Sequence, residues 1–252
     1  MIVSVISFGK ARNLPRFESA ESETTAARGA APLAPRWHTA LLVFVLVSSA
    51  VTGVWGVSGA RAPLSAKSRI LDLYLPTIAA SLLMTAYVCR VGRRANALTS
   101  LIGRGFTSVL GALADLGWAA LLAASILGIE RAWIGAFGAR QTASFGALMP
   151  HSVAEGAVWI VVAMTVGFCE EVVYRGYLRI QFTAFTRSSV VGNALQAALF
   201  GIAHGEQGVA TVVRFSIYGI LLGTGSRVRR SLVPAIICHV FIDLLSGFQG
   251  SA

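Results

Sequence analysis

Seven apolar runs, divided by short basic segments, decide what this chain can become. A helix of roughly 20 apolar residues crosses the hydrocarbon core of a bilayer. Inside that core every backbone N–H and C=O must find a partner within the protein, which helices achieve by themselves. The seven runs therefore predict an all-α fold, a polytopic membrane helix bundle of about seven transmembrane helices, with eight as the alternative. Composition agrees. The 252 residues are 55% hydrophobic and 13% charged, with a mean hydropathy of +0.70. Soluble domains carry about 25% charged residues, so this chain has too little polar surface to cover a globule.

The predicted spans run from about Trp37 to Val57, Ile70 to Cys89 and Phe106 to Leu127. A fourth starts near Val153, and the rest follow at about Ser189 to His204, Val209 to Gly225 and Leu232 to Phe248. Pro76 lies inside the second, where membrane helices tolerate proline and can kink. The third carries Asp115, which must face protein or water; capping a neighbouring helix is its expected role. Glu130 to Met149 reads as a connection, with Trp133 and Phe137 suited to an interface. The fourth span loses its apolar character at Glu170, yet no breaker follows until after Phe185, so one long helix to about Thr186 is expected.

This divides the chain into a polar, mobile tail (1–36), three N-terminal spans (37–152), a four-helix core (153–248) and a short end (249–252). Met1–Phe8 is too short to span and does not read as a cleaved signal peptide. No internal repeat is visible.

The net charge of +10 comes mostly from arginine. In a soluble chain it would suggest nucleic acid. Here the arginines sit between apolar runs, where loop charges set orientation, so no nucleic-acid partner is expected. With the N-terminus in the cytoplasm, that side receives Arg90, Arg93, Arg94, Arg104, Arg179, Arg187, Arg227, Arg229 and Arg230, besides the basic residues of the tail. The other side receives Arg61, Lys67, Arg69, Arg131 and Arg140. Cys89, Cys169 and Cys238 lie in or beside apolar segments without a C-x-x-C pair, so neither a zinc ribbon nor a disulfide framework is expected.

Ionisable groups at membrane depth are costly and point to function. Glu170 and Glu171 end an apolar run, with Arg175 one turn beyond Glu171. His204 and His239 lie in similar surroundings, and Asp243 is one turn beyond His239. Glu170 falls 16 residues before Thr186 and His204 falls 18 after it. At a rise of about 1.5 Å per residue both lie roughly 25 Å from that turn, so an antiparallel hairpin brings them level. A carboxylate beside a histidine can deprotonate a water, and a second histidine can donate to an oxyanion. One Glu and two His also make a plausible zinc set, Glu170, His204 and His239. Asp243 would fix the His239 tautomer. Arg175 is expected in a structural ion pair, and Glu206 beside a short outer turn is a weak candidate. Two readings of another class compete: a transporter or proton relay using the same residues, and a non-catalytic membrane scaffold or immunity protein with a polar clamp.

Three motifs stand in order: Glu170-Glu171-Val172-Val173-Tyr174-Arg175 (E-E-x-x-x-R), Phe200 to His204 (F-x-x-x-H), and His239 to Asp243 (H-x-x-x-D). Together they resemble the CPBP family of intramembrane proteases, also called the Abi or type II CAAX prenyl protease family, over residues from about 153 to 248. The resemblance implies a hydrolase that cleaves a membrane-associated protein or peptide within the bilayer. It assigns Glu170 and His204 to activating water, and His239 with Asp243 to stabilising the oxyanion or completing the site. Glu171, Arg175 and Phe200 take supporting positions. The family's third motif often ends in Asn. An ionised Asp243 accepts but cannot donate, which favours orientation of His239 or a ligand role. Zinc is the implied cofactor if the enzyme is a metalloprotease, and none is needed if it is glutamate-driven. The arginine- and alanine-rich sequence looks bacterial, which places the chain in an inner membrane with an unidentified substrate.

Overall fold

The computed structural model describes residues 31–59, 65–103, 108–138, 146 and 148–249. Among the described residues there is no strand beyond one isolated bridge, Gly103 to Ser231. Eight helices account for the fold: α1 (Arg36–Gly59), α2 (Arg69–Arg94), α3 (Leu98–Ile102), α4 (Val109–Phe137), α5 (Val153–Thr186), α6 (Ser189–Ala203), α7 (Val209–Arg229) and α8 (Val233–Gln249). Helices α2, α4, α5 and α7 are long and apolar enough to cross a membrane, and α1, α6 and α8 include shorter apolar stretches. Large apolar side chains face outward, among them Phe44, Leu83 and Leu110. Outside water this is the normal lipid-facing arrangement, and the chain is an integral membrane protein.

Each of the seven expected runs is helical, with shifted ends, and four of them are long and apolar enough to span. Helix α4 does not stop near Leu127. It runs to Phe137 and ends at Gly138, whose φ of +80° suits a residue without a Cβ. Much of the expected connection from Glu130 is therefore helix, and Glu130, Trp133 and Phe137 lie on it. The apolar residues of that stretch continue the helical pattern, and no breaker interrupts them before Gly138. Short α3 was not expected. Leu101 within it is fully buried against α5, where Gly176 leaves no side chain in the way: a Cβ there would stand 2.5 Å from the Leu101 carbonyl oxygen.

Two helices carry π-helical turns, Arg69–Tyr74 in α2 and Glu171–Leu178 in α5. The first immediately precedes Pro76, whose missing N–H and bulky ring disturb a regular α ladder. The long helix expected from Val153 to Thr186 is continuous, but its second half begins with this wider turn. Helix N-termini follow local chemistry. The Ser108, Ser152 and Ser188 hydroxyls accept from Gly111, Glu155 and Val191 N–H groups at the starts of α4, α5 and α6.

The tail expected over 1–36 lies outside the described residues up to residue 30. Its last part is held down. Fully buried Gln181 of α5 accepts from the Leu33 N–H at 2.6 Å and donates to the Ala34 carbonyl at 3.0 Å. At the other end of α5, fully buried Glu155 pairs with Arg69, joining α5 to the start of α2.

The core has two parts. Val172, Val173, Tyr174, Tyr177 and Leu178 of α5 pack with residues from α1, α2, α3 and α6. Leu122, Ala123 and Ile126 of α4 pack with Tyr218 and Leu222 of α7 and with Ala235 and Cys238 of α8. Asp115 pairs with Arg229 in the last turn of α7, at 2.9 and 2.6 Å. It clamps a helix end and takes no part in the cavity described next.

Candidate active site

Helices α5 and α8 approach closely enough to bring four motif residues together, Glu170 and Glu171 with His239 and Asp243. A Cβ on Gly167 would stand 2.8 Å from the Val240 Cγ2, so the two helices touch here through glycine. Eight residues earlier, the Trp159 Nε1–H donates to the Asp243 carbonyl at 3.0 Å. Gly247 lies against the same indole and leaves room for it. His239 is the residue before Val240, beside the first of these contacts.

The His239 imidazole is almost fully buried. Its Nδ1 lies 2.8 Å from Glu171 Oε1. A carboxylate only accepts, so Nδ1 carries the proton and donates. This corrects one expectation: Glu171, not Asp243, fixes the His239 tautomer. Asp243 Oδ2 instead stands 3.7 Å from Nε2, longer than a hydrogen bond, and Glu170 Oε2 stands 3.7 Å from the same nitrogen. Nε2 thus faces two carboxylates across a gap.

Glu171 is also paired with Arg175, 3.0 Å away, and both side chains are fully buried. This is the structural ion pair expected of Arg175. Its guanidinium lies 4.1 Å from the Phe200 ring centre, a cation–π contact. Phe200 in turn meets His239 edge-on, with centroids 5.8 Å apart. Arg175, Glu171 and Phe200 form a packed layer beneath the histidine. Glu170 and Glu171, adjacent in sequence and about 100° apart around the helix, serve two sides of His239: Glu171 below at Nδ1 and Glu170 at Nε2.

His204 follows Ala203, the last residue of α6. Its Nδ1 donates to the Phe200 carbonyl at 2.7 Å, which leaves Nε2 as the basic nitrogen. Its ring stacks on Phe215 of α7.

Glu170, His204, His239 and Asp243 all line one cavity of about 500 Å³. Glu206, expected to be solvated beyond the turn, lines it as well. Glu171 and Arg175 do not. Glu170 Oε2 is buried and makes no hydrogen bond within the protein. Most of the wall is apolar and comes from other helices, including Leu46 and Ala50 of α1, Ser81 and Met84 of α2, and Ile126 of α4. Trp159, Phe215 and Tyr218 also reach this wall, and none of the three motifs contains them. Trp159 and Tyr218 each sit on an otherwise apolar helical stretch, which gave no signal of their place.

Among the described residues no group of three or more His, Cys, Asp or Glu side chains is set to hold a metal ion. Glu170, His204 and His239, the zinc set, share the cavity without forming such a cluster.

No curated protein and no solved structure matches the chain. One family model does, described as "Type II CAAX prenyl endopeptidase Rce1-like", over residues 152–245. That stretch holds all three motifs and every residue within hydrogen-bond reach of His239. Over residues 152–245, rather more than a third of its length, this chain is similar to the Rce1-like family, to which its ordered motifs also point.

Proposed function

We propose that this protein is an intramembrane endopeptidase in which Glu170 is the base. The carrying observation is a buried carboxylate oxygen, Glu170 Oε2, that makes no hydrogen bond within the protein at a cavity shared with His204, His239 and Asp243. A water there would lose its proton to Glu170, with the His204 Nε2 as a second acceptor that orients it. The resulting hydroxide adds to the peptide carbonyl carbon, and the carbonyl π electrons pass to oxygen. His239 holds one proton at Nδ1 through Glu171. When it carries a second, Nε2–H can donate to that oxyanion. The tetrahedral adduct then collapses as the C–N bond breaks, and the leaving amine takes the proton held by Glu170. Asp243, which accepts and does not donate, orients Nε2 rather than binding the oxyanion.

The apolar wall suits a substrate that arrives through the bilayer, a membrane-associated protein or peptide. Its arginine- and alanine-rich sequence suits a bacterial inner membrane, and its basic loops favour an N-terminus in the cytoplasm.

Glu170→Gln tests this reading because it keeps shape and removes the base. Membrane proteomes of cells carrying parent or variant identify any precursor that accumulates. A peptide from that precursor is then assayed with purified protein in nanodiscs. Cleavage should fall by at least about a hundredfold, the usual scale for a positioned base. Cleavage at the parental rate would overturn the proposal. Elemental analysis of active protein decides the metal question separately.

A further inference from the structure

His204 lies just past the end of α6, and a single 3₁₀ turn, Gly205–Gln207, follows it in place of further α-helix. Its bond to the Phe200 carbonyl fixes one axis but leaves the imidazole free to swing about it. The second constraint comes from another helix. Phe215 stacks on the imidazole with centroids 4.2 Å apart and planes 26° apart, while Phe200 meets it tilted, at 4.8 Å and 59°. The two phenyl rings are 6.0 Å apart. His204 therefore sits in a corner between them. Gly201 allows this: a Cβ there would collide with Val212 and Ser216 of α7, so glycine lets α7 lie close to the histidine.

The platform has its own anchor. Glu130 of α4 accepts from Arg214 Nη1 at 2.8 Å and from the Tyr218 hydroxyl at 2.5 Å. Arg214 is one residue before Phe215 and Tyr218 three after it. The Tyr218 ring lies 5.5 Å from Phe215, and the Arg214 guanidinium carbon 5.8 Å from it. One carboxylate thus grips α7 on both sides of the ring that carries His204. Glu130 lies outside the stretch that matches the family model.

We propose that Phe215 is a positioning residue for His204, and that Glu130 fixes Phe215 by holding Arg214 and Tyr218. This rests on the reading that His204 helps activate water. A ring free to turn away from Glu170 would lower turnover without weakening substrate binding. Displacements near 1 Å can cost about a hundredfold. A swing limited by the remaining Phe200 bond should cost roughly tenfold in kcat with KM within about twofold.

The test uses the full chain in nanodiscs with isotope-labelled histidine. The chain has four histidines, and loss of one signal in His204→Gln identifies His204. A proton held over a phenyl face is shielded, so Phe215→Leu should move the His204 Cε1–H signal downfield, and Phe215→Tyr should leave it near the parental position. Glu130→Gln, nearly isosteric, should move it the same way by less, and it carries the test if Phe215→Leu does not fold. In both shifted variants kcat should fall and KM hold. An unmoved His204 signal overturns the proposal, even in a chain that cleaves its substrate. A moved signal with unchanged kcat also overturns it. A signal that moves as expected in a parent chain that cleaves nothing supports the platform and counts against the protease reading alone.

Discussion

Replacing Glu171 by glutamine should unfold this protein more readily than replacing its partner. Arg175 is fully buried, and Glu171 is the carboxylate that balances it. Glu171→Gln leaves a guanidinium in the interior without a counter-charge. Removing one member of a buried pair costs about 3–5 kcal/mol. The cation–π contact with Phe200 at 4.1 Å remains and offsets up to about 2 kcal/mol. Weakening the charged bond to His239 adds about 1 kcal/mol. The net loss is about 3 kcal/mol, a large part of the 5–15 kcal/mol typical of a whole domain. Arg175→Met should cost less, because Glu171 keeps its 2.8 Å bond to His239. The double variant removes both charges, and buried pairs are often replaced by apolar groups at little cost. It should therefore be more stable than Glu171→Gln alone. Unfolding in mixed detergent, followed through the five tryptophans, measures all three. Additive losses, or a Glu171→Gln variant as stable as the parent, would show that the pair is not coupled.

Other substitutions probe the frame around the site. Gly167→Ala would place a Cβ 2.8 Å from Val240 Cγ2 and 3.2 Å from the Val240 nitrogen. It should push α8 and His239 away from Glu170 and lower kcat severalfold or more. Gly117→Ala, with nothing within 4 Å, should leave cleavage unchanged. Asp243→Asn should retain most turnover because an amide oxygen can still orient Nε2, whereas Asp243→Ala should lose it; equal loss in both would require the charge itself. Asp115→Asn should destabilise the fold by about 1–2 kcal/mol through its half-exposed partner Arg229, read by the same unfolding assay, and leave KM in place.

The seven apolar helices, four of them long enough to span, were legible because hydropathy is a property of runs, and helices in lipid need little more. Counting through the turn at Thr186 placed Glu170 level with His204 for a similar reason: helical rise is nearly constant. What failed depends on cross-chain detail. An i, i+4 relation made Asp243 the natural partner of His239, but Glu171, from α5, reaches Nδ1 first. Nothing in Glu171-Val172-Val173-Tyr174 distinguishes a π turn from an α turn. The continuation of α4 to Phe137 was masked by Glu130 and Arg131, which read as the start of a loop. Glu130 in fact faces α7 and pairs with Arg214 and Tyr218. A charge at a span's edge does not say whether it meets water or another helix.

Residues outside the family match carry part of the site's architecture. Arginines of α7 find their acids on α4: Arg214 with Glu130 and Arg229 with Asp115. Helices α1 and α2 supply much of the apolar wall opposite Glu170. Arg69 satisfies Glu155, which is fully buried at the start of the helix that bears Glu170. An isolated carboxylate at that depth would be costly. The motif residues can therefore be conserved in chemistry while their depth, tilt and enclosure depend on the first three long helices. On the proposed reading, different N-terminal helices beside the same three motifs would change the cavity and with it the substrate preference.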